Sequence, residues 1–146
     1  MYNKIKFEIA KERSHMKYQE SKEDYLETIM ILSNEKDTVT GEVKKVHAID
    51  IVHERNYSKP SVSIAMKKLV ESGDIVINEK DEISLTPKGA KIASCIYERH
   101  ETLRKGLISL GVSEEIALED ACKIEHYLSK ESFQAIKKFI KDFDKK

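Results

Sequence analysis

The chain has 146 residues, with 26 Lys and Arg against 26 Asp and Glu, so its formal net charge at pH 7 is zero. Hydrophobic residues make up 40% and charged residues 36%, which is enough for a core and argues against disorder throughout. No apolar run approaches the roughly 18 residues that span a bilayer, and the N-terminus lacks the pattern of a signal peptide. We therefore expect a cytoplasmic protein in which Cys95 and Cys122 are free thiols or metal ligands.

Charge is distributed unevenly along the chain. Residues 41–70 carry six basic and three acidic side chains, whereas residues 20–37 carry six acidic and two basic ones. Residues 106–128 are acidic again, with five carboxylates and one lysine. Any single charge run is most simply a solvated helix face. The order of an acidic, a basic and a second acidic segment also fits a basic DNA-facing element beside acidic, cation-binding elements.

The predicted elements are helices, one β-hairpin and further helices. Residues 1–20 form a weakly patterned arm, and Ser21 is expected to cap the first helix. Ser58 should cap a third helix with Pro60 in its first turn, and Gly73 should end that helix. The predicted spans are helices 22–33, 48–56 and 59–72, strands 75–77 and 83–85, and helices 87–110, 113–128 and 129–143.

This order is that of a winged helix-turn-helix domain followed by further helices. We predict a mainly α fold, with residues 21–88 as the N-terminal winged helix-turn-helix DNA-binding domain and residues 89–146 as an all-helical domain. The third helix would enter the major groove, and the hairpin would be the wing. A capped helix of this kind is also an ordinary surface element. The candidate DNA-binding residues are Ser58, Lys59, Pro60, Ser61, Ser63, Lys67 and Lys80.

Candidate metal ligands lie in three separate segments. Asp24 and Glu27 are three residues apart on the first helix, so their carboxylates share a face. Cys122, Glu125 and His126 have helical spacing on the predicted fifth helix, and His100 lies on the long helix. Together these groups resemble a transition-metal ligand set. Each has an ordinary alternative: a capping or solvated carboxylate, a packed core histidine, or a small buried cysteine.

Five segments of the chain carry a family resemblance: residues 21–29 (SKEDYLETI), 58–63 (SKPSVS), 85–89 (LTPKG), 99–101 (RHE) and 122–129 (CKIEHYLS). They resemble motifs of the diphtheria-toxin-repressor and manganese-transport-regulator family, in the family's order, over about residues 21 to 143. The resemblance implies a homodimeric, cytoplasmic, metal-activated repressor of metal-uptake genes that binds double-stranded operator DNA. It also implies that residues 89–146 are the metal-binding and dimerisation domain.

Residue by residue, the resemblance is to two branches of the family. Asp24 and Glu27 match the manganese branch, whereas Cys122 stands where that branch has Glu and the iron branch has Cys. The iron branch's ancillary metal site needs a Glu and a His where this chain has Arg104 and Leu118, so we expect that site to be absent. We also expect no SH3-like C-terminal domain. The implied cofactor is Mn²⁺ or Fe²⁺, one or two ions per chain, and a thiolate favours the softer ion.

Two other classes of protein remain open from the sequence. A winged-helix regulator could respond to a small organic ligand or to thiol oxidation, with no metal. A metal-dependent hydrolase is the weaker alternative, because the predicted ligands would saturate the ion and leave no position for substrate. We therefore predict a regulator and not an enzyme.

Overall fold

The computed structural model describes residues 21–146, so the predicted arm at residues 1–20 lies outside the described residues. The described chain is mainly helical with one two-stranded antiparallel sheet, as predicted. Within the described chain, residues 21–94 belong to one compact unit and residues 95–146 to a second. The elements are α1 (21–34), α2 (Ala48–Arg55), α3 (Lys59–Glu71), β1 (Ile75–Ile77), β2 (Ile83–Leu85), α4 (Pro87–Ser109), α5 (Glu114–Ile124) and α6 (Lys130–Asp144).

Local capping explains the limits of α2 and α3. Asn56 ends α2 in the left-handed conformation, with φ of 53°, a value that Asn tolerates. Ser58 then caps α3 by accepting a hydrogen bond from the Ser61 backbone N–H, as predicted. Gly73 follows the end of α3 with φ of 76°. The predicted cap at Ser21 is wrong, because Ser21 is itself a helical residue.

The core of the N-terminal unit is built from the apolar faces of α1, α2 and α3 and from one residue of each strand. Leu26, Ile29 and Ile51 are fully buried at its centre. Burial of such side chains contributes about 1.5–3 kcal/mol each, so these three faces hold the helices together. The buried cluster comprises Leu26, Ile29, Leu32, Val46, Ile51, Val62, Met66, Leu69, Ile75, Ile83 and Ala93.

The hairpin has the predicted strands and a turn held by side chains. Ile75 pairs with Leu85 and Ile77 with Ile83, in antiparallel register. Asn78 closes the turn because its side-chain oxygen accepts the backbone N–H groups of Lys80 and Glu82. A further antiparallel bridge joins Val46 to Ile83 and ties the hairpin to the segment before α2.

A buried carboxylate, Asp74, stands between α3 and β1. Its Oδ2 lies 2.9 Å from the Nζ of Lys22 on α1, and its Oδ1 lies 3.6 Å from the Nζ of Lys88. Ser72 donates a hydrogen bond to the same carboxylate. A side chain at position 89 would meet the backbone of Asp74, so Gly89 permits the close approach of α4. Asp74 thus joins α1, the start of the hairpin and the start of α4.

The C-terminal unit consists of α5, α6 and α4 from Cys95 onward. Leu103, Ala117, Ala121 and Phe133 are buried within it. The predicted extent of the fifth helix is wrong: α5 ends at Ile124, and residues 125–127 form a turn before Ser129 caps α6. The backbone N–H of Tyr127 bonds to the Ile124 carbonyl, which is a tighter connection than an α-helix makes.

Among the described residues, no helix combines the length and the apolar character that crossing a membrane requires.

Candidate functional site

The centre of the candidate site in the C-terminal unit is the carboxylate of Glu125, which is only 1% exposed. His100 Nδ1 lies 2.8 Å from Glu125 Oε2, and His126 Nε2 lies 3.2 Å from Glu125 Oε1. Each carboxylate oxygen is therefore paired with one imidazole. A buried carboxylate needs such partners, because an ionised group without them would be strongly disfavoured. His100 is accordingly a paired buried residue rather than an apolar core residue.

Cys122 completes a cluster of four donor side chains. Its Sγ lies 3.6 Å from His100 Nδ1, within the range of a sulfur hydrogen bond. Cys122 is an exposed residue in the last turn of α5, so it is not the small buried residue of the ordinary alternative. The sequence predicted that Cys122, Glu125 and His126 share one helix face. Instead, Glu125 caps α5 and His126 lies in the turn beyond it.

The electrostatics of the cluster stabilise charged forms. Hydrogen bonds to Cys122 and then to Glu125 raise the pKa of His100 to about 10, although burial opposes this shift. Burial alone would raise the pKa of Glu125, but hydrogen bonds from His100 and His126 lower it below its ordinary value. His100 is thus an imidazolium beside a carboxylate near neutral pH. A metal ion at His100 would have to replace that proton.

The chemistry of the four donors fits a transition-metal ion. One carboxylate, two imidazoles and one thiol are ligand types that divalent Mn, Fe, Co and Zn accept, with the thiol favouring the softer members of this series. The cluster also has the charge balance that an ion requires, because a bound cation would neutralise the Glu125 carboxylate in place of the His100 imidazolium. The residues present therefore fit a metal.

The two carboxylates predicted on the first helix lie in the N-terminal unit. Asp24 and Glu27 are both on α1, three residues apart, and Glu27 is 5% exposed, so it is not the solvated residue of the ordinary alternative. The backbone carbonyl of Asp24 accepts a hydrogen bond from the Thr28 hydroxyl. Thr28 also accepts a 2.6 Å hydrogen bond from Nε of Arg55, which ties α1 to the end of α2.

The candidate DNA-binding residues lie on an exposed surface of the N-terminal unit. The outward face of α3 and its cap are exposed, and Lys80 is exposed in the hairpin turn. The face lies opposite the buried Val62, Met66 and Leu69. The exposed residues are Ser58, Lys59, Pro60, Ser61, Ser63, Lys67 and Lys80.

Sequence reasoning did not identify the residues that hold these groups in place. Arg99 donates hydrogen bonds to the backbone around Glu125, and Asp74 pairs with Lys22 on α1. Neither residue has a spacing that marks it. The only available signal was a charged residue next to a candidate element: Arg99 directly before His100, and Asp74 directly before the first strand.

The fold and the donor set together define a class of protein, the metal-responsive transcriptional regulators. A family model described as the iron dependent repressor, metal binding and dimerisation domain matches residues 86–146. The transcriptional regulator MntR of Salmonella typhimurium is 36% identical over 117 residues, which cover 80% of this chain and 70% of the relative. The HTH-type transcriptional regulator MntR of Geobacillus kaustophilus is 34% identical over 123 residues, which cover 84% of this chain and 82% of the relative.

Among solved structures, the manganese regulator SloR matches with a TM-score of 0.69 and 29% sequence identity, over 82% of this chain and 53% of that chain. The chain thus spans about half the length of that solved structure. The chain belongs to the diphtheria-toxin-repressor and manganese-transport-regulator family, as its motifs predicted. Because these relatives are transcriptional regulators, the chain is a regulator and not an enzyme, which confirms that prediction.

Proposed function

We propose that this protein is a cytoplasmic, homodimeric repressor that binds operator DNA when it holds Mn²⁺ or Fe²⁺, and so controls manganese or iron uptake. The observation that carries the proposal is the buried carboxylate of Glu125 paired with His100 and His126, with the Cys122 thiol beside His100. The manganese regulators among its relatives support the choice of metal. A regulator that senses a small ligand or an oxidant is not favoured by these relatives.

The proposed ligand set is Asp24, Glu27, His100, Cys122, Glu125 and His126, for one or two ions per chain. Asp24 and Glu27 enter this set from the family resemblance and from their shared face of α1. Hard carboxylate oxygens favour Mn²⁺, and the thiol of Cys122 shifts the preference toward Fe²⁺. The balance between these donors decides which ion the protein senses.

For DNA recognition we propose that residues 21–88 are a winged helix-turn-helix domain. The exposed face of α3 would enter the major groove, with the N-terminal turn of the helix toward phosphate. Lys80 in the hairpin turn would contact the backbone. The short connection between α2 and α3 and the exposed basic face of α3 support this assignment. The contacts would come from Ser58, Lys59, Pro60, Ser61, Ser63, Lys67 and Lys80.

We propose that the homodimer interface is formed by an apolar groove of about 340 Å³ in the C-terminal unit. Its lining includes Leu110, Phe139 and Phe143, which are 76%, 67% and 56% exposed. Exposed apolar side chains gathered in one patch are typical of a protein interface. A second copy of the chain, docking through the same patch, would form a two-fold symmetric contact.

The proposed mechanism is a thermodynamic linkage between metal and DNA. A bound ion would neutralise the carboxylates of its ligands and hold them together. Without metal, the carboxylates of the proposed ligand set would repel one another, and the DNA-binding and dimerisation domains could sample many orientations. In the active dimer, the two α3 helices would lie about one DNA turn apart, roughly 34 Å. Linkage requires that DNA strengthen metal binding by the same factor.

Anaerobic titration calorimetry with Mn²⁺ and Fe²⁺, with the thiols reduced, tests the proposal. We expect saturable binding of one or two ions per chain, and its loss in His126→Gln. The matched control is His53→Gln, since His53 is exposed on α2 and outside the proposed ligand set. If neither ion binds stoichiometrically to the wild-type protein, the metal-activated mechanism is wrong. DNA binding that ignores a chelator would then point to a non-metal signal.

A further inference from the structure

The turn between α5 and α6 carries two of the proposed metal ligands. Residues 125–127 follow the last residue of α5, and Ser129 caps the next helix. Glu125 is the C-cap of α5, and its backbone N–H still bonds to the Ala121 carbonyl, whereas His126 lies on the short connection beyond the helix. A ligand on such a connection keeps its position only if the backbone of the connection is itself held.

Arg99 on α4 holds both ends of this turn. Its Nη1 donates a hydrogen bond of 3.1 Å to the Glu125 carbonyl and another of 2.7 Å to the Leu128 carbonyl. Its guanidinium also stacks over Phe133 of α6, with Cζ 5.2 Å from the ring centroid. The positive charge lies at the C-terminal end of α5, where the last carbonyls of a helix attract cations.

Arg99 and His100 are consecutive residues of α4 that contact different parts of Glu125. Arg99 binds the backbone carbonyl of Glu125, and His100 binds its carboxylate. We infer that Arg99 is a positioning residue for the metal site: it fixes the turn so that the side chains of Glu125 and His126 are directed toward one ion. This inference rests on the proposed metal-binding function.

Two simpler roles for Arg99 have different consequences. If Arg99 contributed only to folding, its loss would lower the stability of the metal-free protein, but the folded molecules would bind metal normally. If it acted only through its positive charge, removing it would strengthen cation binding. A positioning role instead predicts weaker metal binding in the variant. Loss of a residue that orients metal ligands typically lowers metal affinity by about 10–100-fold.

The test compares wild type with Arg99→Met, Arg99→Lys and Arg104→Met. Arg104 is the matched control, because it is a second arginine of α4 and pairs with the carboxylates of Glu101 and Glu114. Mn²⁺ affinity is measured by calorimetry in the absence of DNA. The absorption spectrum of the Co²⁺-loaded protein reports the ligand geometry, and urea unfolding of the metal-free protein reports stability.

We expect Arg99→Met to bind Mn²⁺ about 10–100-fold more weakly and to change the Co²⁺ spectrum. Arg104→Met should keep both properties of the wild type. Lysine keeps the charge but is shorter and offers no planar group to Phe133, so Arg99→Lys should recover only part of the lost affinity.

Wild-type Mn²⁺ affinity and an unchanged Co²⁺ spectrum in folded Arg99→Met would overturn the inference. If Arg99→Met does not fold, Arg99→Lys becomes the test variant. Wild-type Mn²⁺ affinity in Arg99→Lys would then overturn the inference. An absence of Mn²⁺ and Co²⁺ binding in the wild-type protein would instead overturn the proposed function, so the two failures are distinguishable.

Discussion

His100 Nδ1 and Glu125 Oε2 lie 2.8 Å apart in a buried ion pair. The pair joins α4 to the turn after α5. Hydrogen bonds to Cys122 and then to Glu125 raise the pKa of His100. Hydrogen bonds from His100 and His126 lower the pKa of Glu125 despite its burial. A metal ion bound by His100 Nδ1 would therefore have to displace a proton. Glu125 is the member of the cluster that contacts both histidines. A substitution of Glu125 should therefore affect the whole cluster.

Replacing Glu125 with glutamine should abolish the metal response without unfolding the protein. The amide keeps the volume of the side chain but removes the charge that binds an ion and pairs with His100. We expect Mn²⁺ affinity to fall by at least about 100-fold, since a ligand and its hydrogen bonds are lost together. DNA binding should then be the same with and without Mn²⁺. DNA binding is measured by fluorescence anisotropy, with a DNA duplex that has been selected for binding to the wild-type protein.

The control for this change is Glu119→Gln, which removes an exposed carboxylate of α5 that pairs with Lys123. It should keep the wild-type response to Mn²⁺. Circular dichroism checks that both variants retain their helices. A full Mn²⁺ response in Glu125→Gln would show that the cluster does not transmit the metal signal.

Features that depend on neighbouring residues in sequence were predictable. Ser58 caps α3, and Gly73 and Gly111 have positive φ where the sequence predicted helix ends. The hairpin was predictable because two short β-branched or aliphatic runs flank a polar turn, and turn chemistry is local. The residue types of the metal cluster were also evident, since Cys, Glu and His recur at helical spacing.

Features that depend on contacts distant in sequence were not predictable. Helical spacing placed Glu125 and His126 on α5, but the helix ends at Ile124, and Arg99 donates a hydrogen bond to the carbonyl that follows. Asp74 looked like a loop residue and is instead fully buried, because Lys22 pairs with it from a position 52 residues earlier in the numbering. Local patterns carry no information about such partners.

Lys59→Ala should weaken DNA binding and leave metal binding in the absence of DNA unchanged. Lys59 is exposed in the first turn of α3, where a cation can neutralise a phosphate. The loss of one phosphate contact should lower the slope of log affinity against log salt by about 1. Lys91→Ala, which replaces an exposed lysine of α4, is the control. An altered Mn²⁺ affinity in DNA-free Lys59→Ala would contradict the separate roles of the two sites.

Asp74→Asn should destabilise the protein at neutral pH. Asp74 is fully buried beside Lys22, and breaking a buried pair typically costs about 3–5 kcal/mol because a charge is left behind. Since the asparagine side chain could still accept a hydrogen bond from Ser72, we expect a loss near the lower end, about 3 kcal/mol. Urea unfolding of the metal-free protein at pH 7 measures it. Asp142→Asn, at an exposed position of α6, should change little.

The pH dependence of this effect follows from the pKa of Asp74. Burial raises that pKa, but hydrogen bonds from Lys22 and Ser72 and the charge of Lys88 lower it below its ordinary value. The folded state therefore binds fewer protons than the unfolded state in mildly acidic solution. The contribution of Asp74 is present above its unfolded pKa and is lost as pH falls through its folded pKa. The difference between wild type and Asp74→Asn should shrink at acidic pH, and a constant difference would contradict this role.

Phe139→Lys should convert the proposed dimer into a monomer. Phe139 is 67% exposed in the apolar groove of the C-terminal unit, so the substitution removes no buried core side chain of the chain itself. In a dimer, the lysine would place a charge in an apolar contact, which strongly disfavours association. Sedimentation velocity should give twice the chain mass for wild type and a single chain for the variant. Val39→Lys, at a 90% exposed position in the other unit, is the matched control and should remain dimeric. A dimeric Phe139→Lys would place the interface on another surface, and the groove would then need a different explanation.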